Sequence, residues 1–147
     1  MIRVSIASPQ ELIELPYARL REIGRVVLEG EGIREAKIGL AFVDNQTIHG
    51  LNKRFLDHDE PTDVITFPQS RPGANRLEGE IVVGVEVALV QAKERGYAVE
   101  EELCLYVIHG LLHLVGYDDM KSKDAAEMRR KERAYLQALG APDIAGE

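Results

Sequence analysis

Apolar and polar residues alternate along Arg3–Ser8, with Val4 and Ile6 set against Arg3 and Ser5, which predicts a half-buried strand at the start of the chain. Ser8-Pro9-Gln10-Glu11 then predicts a helix start, with Ser8 as N-cap, Pro9 in the first helical position and Glu11 completing a capping box. Leu12, Leu15, Leu20, Ile23, Val26 and Val27 continue that helix at helical spacing toward Gly30 or Gly32, with a kink at Pro16. A second strand is predicted over Ala36–Val43. Asp44 closes it and caps a helix whose apolar positions are Ile48, Leu51 and Phe55.

Asp57 to Pro61 reads as a polar turn, and the β-branched run Thr62–Phe67 as a third strand. Pro68–Leu77, with two prolines, a glycine and two arginines, predicts a surface loop before a fourth strand at Glu80–Val83. Val85–Arg95 is predicted as a short helix ending at Gly96, and Glu100–Val115 as a longer one, apolar on most faces and therefore buried. A charged amphipathic helix follows from Lys121 to Leu139, its apolar stripe at Ala125, Met128, Tyr135 and Leu139. Strands grouped early and helices late predict an α+β fold: one domain over residues 1–147, with a small four-stranded sheet packed on a central buried helix and further helices around it.

The composition narrows the class. A chain of 147 residues that is 45% hydrophobic and 29% charged is an ordinary folded globule, with room for one core. Its longest strongly apolar stretch, Leu103–Val115, is broken by His109 and His113 and falls short of the roughly 20 residues that span a bilayer. No secretory-type apolar run follows the N-terminus, and a lone Cys104 forms no internal disulfide; together these predict a cytoplasmic protein of a reducing compartment, with no membrane partner.

The chemistry concentrates in Val107–Met120, VIHGLLHLVGYDDM. His109 and His113 are four residues apart, so on a helix they share a face and can put two imidazoles on one metal ion. Gly116 can end the helix, and the chain returns with Asp118 and Asp119. His109, His113 and Asp119 are the expected ligands, leaving a fourth position for water as in catalytic rather than structural zinc sites. A zinc peptidase of the H-E-x-x-H type carries its base directly after the first histidine, where this chain has Gly110. Cys104, within the apolar helix, is expected to be inert.

HGLLHLVGYDD resembles the signature of the YbeY family of metal-dependent endoribonucleases, H-G-x-L-H-L-x-G-Y-D-H. Leu51-Asn52, Pro61-Thr62-Asp63-Val64-Ile65-Thr66-Phe67-Pro68 and Gly79-Glu80-Ile81 resemble further family segments in the same order. The resemblance implies a zinc ion on three ligands and single-strand-specific cleavage in ribosomal RNA processing, notably at the small-subunit RNA 3′ end, and in ribosome quality control. Ribosomal RNA and the small ribosomal subunit or its assembly factors are the implied partners, with no DNA.

Two positions depart from the family pattern. Asp119 stands where the family has a third histidine. A carboxylate is a legitimate zinc ligand, but it leaves the centre less positive, and as a harder ligand it also admits Mn or Fe. Leu56 stands where the family usually has an arginine. Arg54, Arg71 and Arg76 are the cations considered for RNA contact in its place, and Asp118 and Glu80 for orienting a ligand or water. A non-catalytic, metal-stabilised assembly factor is the alternative, which Leu56 favours, and a metallopeptidase-like hydrolase is the third choice.

The formal net charge of −7 argues against nucleic acid only as a total. Between Lys121 and Arg133 six basic residues face three acidic ones, and Arg19, Arg21 and Arg25 cluster on the first helix. The expectation is weak general affinity for RNA with strong salt dependence.

Overall fold

The computed structural model describes residues 1–57, 63–71 and 74–145. The elements run β1 (Ile2–Ala7), α1 (Tyr17–Gly30), β2 (Ala36–Val43), α2 (Asn45–Leu56), β3 (Val64–Pro68), β4 (Leu77–Gly84), α3 (Val85–Arg95), α4 (Val99–Val115) and α5 (Ser122–Ala138). The four strands form one sheet in the order β1-β2-β4-β3. β1 with β2 and β2 with β4 are parallel, and β3 pairs antiparallel with β4 at the edge. Parallel neighbours need crossovers, which α1 supplies between β1 and β2.

One sheet face is the floor of the main core. Ala36, Ile38, Leu40 and Phe42 of β2 and Ile81 and Val83 of β4 project from it into the cluster formed by α1, α4 and α5. α2 covers part of the other face, where Ile48 packs with Val43, Ile65 and Val82. α4 is the buried helix of the fold. Its apolar residues from Leu103 to Leu112 are almost fully enclosed, as its near-continuous hydrophobicity predicts. It runs antiparallel along β4: a Cβ at Gly110 would lie 2.8 Å from Ile81 Cγ2, and one at Gly79 2.7 Å from Leu114 Cδ2. Glycines therefore set how closely the helix approaches the sheet.

The structure differs from the sequence reading at the first helix, which begins at Tyr17 and not at Ser8. Pro16 inside a helix would remove a hydrogen bond and clash with the preceding turn, at about 3 kcal/mol. Instead its carbonyl accepts the Leu20 N–H at 2.9 Å and opens the helix. The preceding segment is tied by Gln10, whose Oε1 accepts the N–H groups of Leu12 and Ile13 at 2.8 and 3.1 Å. Elsewhere the agreement is close. Asp44 accepts the Thr47 N–H at 2.8 Å as a helix cap, and Gly96 ends α3 at φ 76°. The predicted turn at Asp57–Pro61 lies, beyond Asp57, outside the described residues, as does Thr62 of the predicted third strand; β4 is longer than expected, starting at Leu77.

Candidate metal centre

One turn of α4 separates His109 from His113, and their Nε2 atoms are 3.0 Å apart with the rings at 81° to each other. Gly116, at φ 125°, ends the helix: its N–H donates to Leu112 O and His113 O, and the Tyr117 N–H donates to Leu112 O. A side chain at this φ would be strained, so glycine suits the turn. The chain turns back and delivers Asp119, whose Oδ2 lies 3.4 Å from His109 Nε2 and 3.6 Å from His113 Nε2. Bonds of about 2.0–2.1 Å in a tetrahedral site set ligand atoms about 3.3 Å apart, so one divalent ion fits this triangle. These three residues form a group able to hold a metal.

Both imidazoles are aimed by their other nitrogen. His109 Nδ1 pairs with Glu132 Oε2 of α5 at 2.6 Å, and His113 Nδ1 with the Tyr117 carbonyl at 3.0 Å. With Nδ1 donating in each ring, the Nε2 lone pairs converge on the shared point, an arrangement typical of metal-binding histidines. Burial pushes the His109 pKa down, but the carboxylate of Glu132, aided by Asp119, outweighs it and raises the value overall.

A cavity of about 570 Å³ opens beside this triangle. His109 and Asp119 form part of its wall, with Asp63, Tyr106, Arg95 and Arg129 among its other lining residues. A larger cleft of about 850 Å³ between β1 and α1 holds none of the triangle.

The remaining expected residues scatter. Asp118 turns its carboxylate back onto its own chain, Oδ1 accepting the N–H groups of Asp119 and Met120 at 2.7 and 3.3 Å. It shapes the turn that carries Asp119. Glu80 projects from the sheet face opposite α4, over Gly39, because its neighbours Gly79 and Ile81 face the helix. Strand alternation thus separates it from the triangle. Arg54 stands at 5.4 Å over the Phe55 ring on α2, which covers that same opposite face. Arg76 pairs with Glu78 at 3.4 Å and lines a small cleft with Met1, Arg3 and Glu35. Arg71 is exposed in the β3–β4 connection. None of these arginines lines the cavity beside the triangle, and Leu56 is half exposed at the end of α2.

Three basic residues of α5 turn to different neighbours within the fold. Lys131 meets Glu31 at 3.2 Å, Arg133 meets Asp143 at 3.1 Å, and Arg129 lines the cavity. Arg19 pairs with Glu22 on α1, and Arg25 lies 3.7 Å from Glu29. Cys104 is buried, and desolvation pushes its thiol up to about 11, which keeps it unreactive.

Two functional residues escaped the sequence reading. Glu132 falls on the buried stripe of α5, four residues from Met128 and three before Tyr135; an acid at an apolar phase was the available signal. Glu31, just past α1, accepts hydrogen bonds from Tyr117 Oη at 2.7 Å, Lys131 Nζ at 3.2 Å and Tyr135 Oη. It ties the turn after α4 to α1 and α5, and nothing in its local sequence marks it.

The α+β domain thus converges two histidines of one buried helix and a returning carboxylate on one point, a group that could hold a metal ion. The family model described as Endoribonuclease YbeY matches residues 6–140, and the chain belongs to the YbeY family. Relatives named Endoribonuclease YbeY include one from Rhodopirellula baltica, 43% identical over 75% of this chain and 57% of its own length. Another, from Salinibacter ruber, is 38% identical over 86% of this chain and 85% of its own. The solution structure of TM1509 from Thermotoga maritima is similar at a TM-score of 0.66 and 31% identity, over 95% of this chain and 89% of that one. Among the described residues no helix is long and apolar enough to cross a membrane.

Proposed function

We propose that residues 1–147 act as one YbeY-like metallohydrolase domain, a metal-dependent endoribonuclease that cuts single-stranded RNA in the cytoplasm during ribosomal RNA processing. The small-subunit RNA 3′ end and ribosome quality control are the proposed setting, with the small subunit or its assembly factors as partners. The observation that carries the reading is the triangle of His109 Nε2, His113 Nε2 and Asp119 Oδ2 in a family whose relatives are named endoribonucleases.

His109, His113 and Asp119 would hold the ion, proposed as zinc, with Mn or Fe also compatible with a carboxylate ligand. When bound, it supplies a Lewis acid for a phosphoryl oxygen and a water of lowered pKa. Glu132 and the Tyr117 carbonyl hold the two imidazoles in the ligating tautomer. Asp118 shapes the backbone that presents Asp119. The cavity of about 570 Å³ beside the triangle falls in the size range of ligand-binding clefts.

Leu56 favours a second reading, a metal-stabilised assembly factor without turnover. The metallopeptidase reading has no support at Gly110, which packs against Ile81 where a peptidase has its base. The test compares wild type, His113→Ala and Asp119→Ala for metal content and for cleavage of single-stranded ribosomal RNA. Expected are about one divalent ion per chain and cleavage in wild type, and loss of both in the variants. Cleavage retained by His113→Ala would sink the hydrolase reading. Metal retained by Asp119→Ala would remove Asp119 from the ligand set, and a metal-loaded wild type without cleavage would establish the assembly factor instead.

A further inference from the structure

We infer that the open edge of β1, with the cleft of about 850 Å³ between β1 and α1, binds an extended acidic segment of a partner protein as an added strand. β1 stands at one end of the sheet and pairs with β2 alone. The Met1 carbonyl accepts the Ala36 N–H at 3.1 Å, which sets the phase of this parallel ladder. Met1, Arg3 and Ser5 therefore bond to β2, and the backbone groups of Ile2, Val4 and Ile6 point away from it. Among the described residues no strand takes up that outer row. Donors and acceptors left open at strand spacing are what a second extended chain completes.

The cleft beside that edge has an apolar floor and a basic rim. Ile2, Val4 and Ile33 line it, half-buried against the main core. Arg21, Arg25 and Arg34 line it too, and all three are exposed. Its two carboxylates are already answered, Glu22 by Arg19 at 2.6 Å and Glu29 by Arg25 at 3.7 Å. Arg21 and Arg34 make no ion pair or side-chain hydrogen bond among the described residues, so two cations stand open in a chain of net charge −7. On the opposite face of the sheet, Arg3 of β1 and its neighbour Lys37 of β2 are exposed as well. A strand laid along β1 sends alternate side chains to the two faces: apolar ones onto Ile2 and Val4, acidic ones toward Arg3, with the rim arginines beside it. Single-stranded RNA fits this edge less well. Among the described residues no aromatic ring lines the cleft for bases to stack on, and a phosphodiester chain has no counterpart to the row of backbone groups.

The test titrates the full chain into a short fluorescein-labelled peptide of alternating glutamate and valine, followed by anisotropy, with amide hydrogen exchange measured on the complex. Saturable binding is expected, weakening as salt rises, with exchange of the Val4 and Ile6 amides slowed. Arg21→Glu combined with Arg34→Glu is expected to weaken binding about tenfold, through like-charge repulsion at the rim. Ile2→Pro removes an outward N–H at the first residue of an edge strand, and should weaken binding while leaving the β1–β2 ladder intact. The same peptide with lysine in place of glutamate should not bind. Absence of saturable binding by the acidic peptide overturns the inference, as does wild-type affinity in the double variant or unslowed Val4 and Ile6 amides in the complex. A single-stranded RNA that displaces the peptide and itself slows the Val4 amide would assign the edge to nucleic acid and overturn it. Dimers in sedimentation, with the same amides slowed in the protein alone, would assign the edge to a second copy and overturn it equally.

Discussion

Glu132 accepts the Nδ1 proton of His109 at 2.6 Å from a position on α5 that is only 4% exposed. A carboxylate so enclosed is unfavourable unless paired, and here its partner is an imidazole whose opposite nitrogen faces Asp119. The pair fixes both the tautomer and the tilt of the ring. Glu132→Gln is expected to reduce metal affinity about 10- to 100-fold, as loss of a carboxylate behind a ligating histidine typically does. Competition with a chelator of known affinity measures it, and wild-type affinity in the variant would assign Glu132 to packing alone.

Gly110 and Ile81 are in closer contact than any side chain at 110 permits, since a Cβ would sit 2.8 Å from Ile81 Cγ2. Gly110→Ala gains about 1 kcal/mol of helix propensity but overpacks the α4–β4 contact by about 1–3 kcal/mol. The expected net effect in urea unfolding is destabilisation by about 1 kcal/mol, with favourable coupling in a double-mutant cycle to Ile81→Ala, which removes the Cγ2 that a Cβ at 110 would meet at 2.8 Å. A more stable Gly110→Ala would show that α4 can lift away from the sheet at little cost.

Glu31 supplies the pH dependence. Burial pushes its carboxyl up, but hydrogen bonds from Tyr135, Tyr117 and Lys131 outweigh this and hold it below its ordinary value of 4.5. A carboxyl depressed in the folded state stabilises the fold above its unfolded value, and that contribution is lost as pH falls through the folded one. Thermal stability should therefore decline below about pH 4.5, from this group among others. Glu31→Gln should be less stable at pH 7 by about 1–3 kcal/mol and show a shallower acid decline. Parallel stability–pH curves for the two proteins would contradict this.

Much of the fold was legible because the deciding signals were local. Ala36–Val43, the Asp44 cap and the Gly96 stop need only neighbouring residues, and the structure shows each where the pattern places it. The histidine pair was legible for the same reason, since helical spacing alone puts His109 and His113 on one face. At Ser8 a local cap signal misled, because Pro16 further along decides where the helix can begin. Glu132 meets His109 from 23 residues away and Glu31 meets Tyr135 from 104, distances at which sequence pattern carries no information. Arg129 looked like one more charge on a solvated helix, and only the packing of α5 against α4 sets it among the residues lining the cavity.

The paired notches of α4 and β4, where Gly110 admits Ile81 and Gly79 admits Leu114, also constrain how this protein can change over evolutionary time. A lineage that enlarges residue 110 or 79 meets a clash unless the facing side chain has shrunk first, so the order of substitutions matters as well as their identity. Variation at these four positions is therefore expected to be paired. The helix that carries both histidines therefore inherits a fixed height above the sheet, and a change in that height has to be made by two facing residues together.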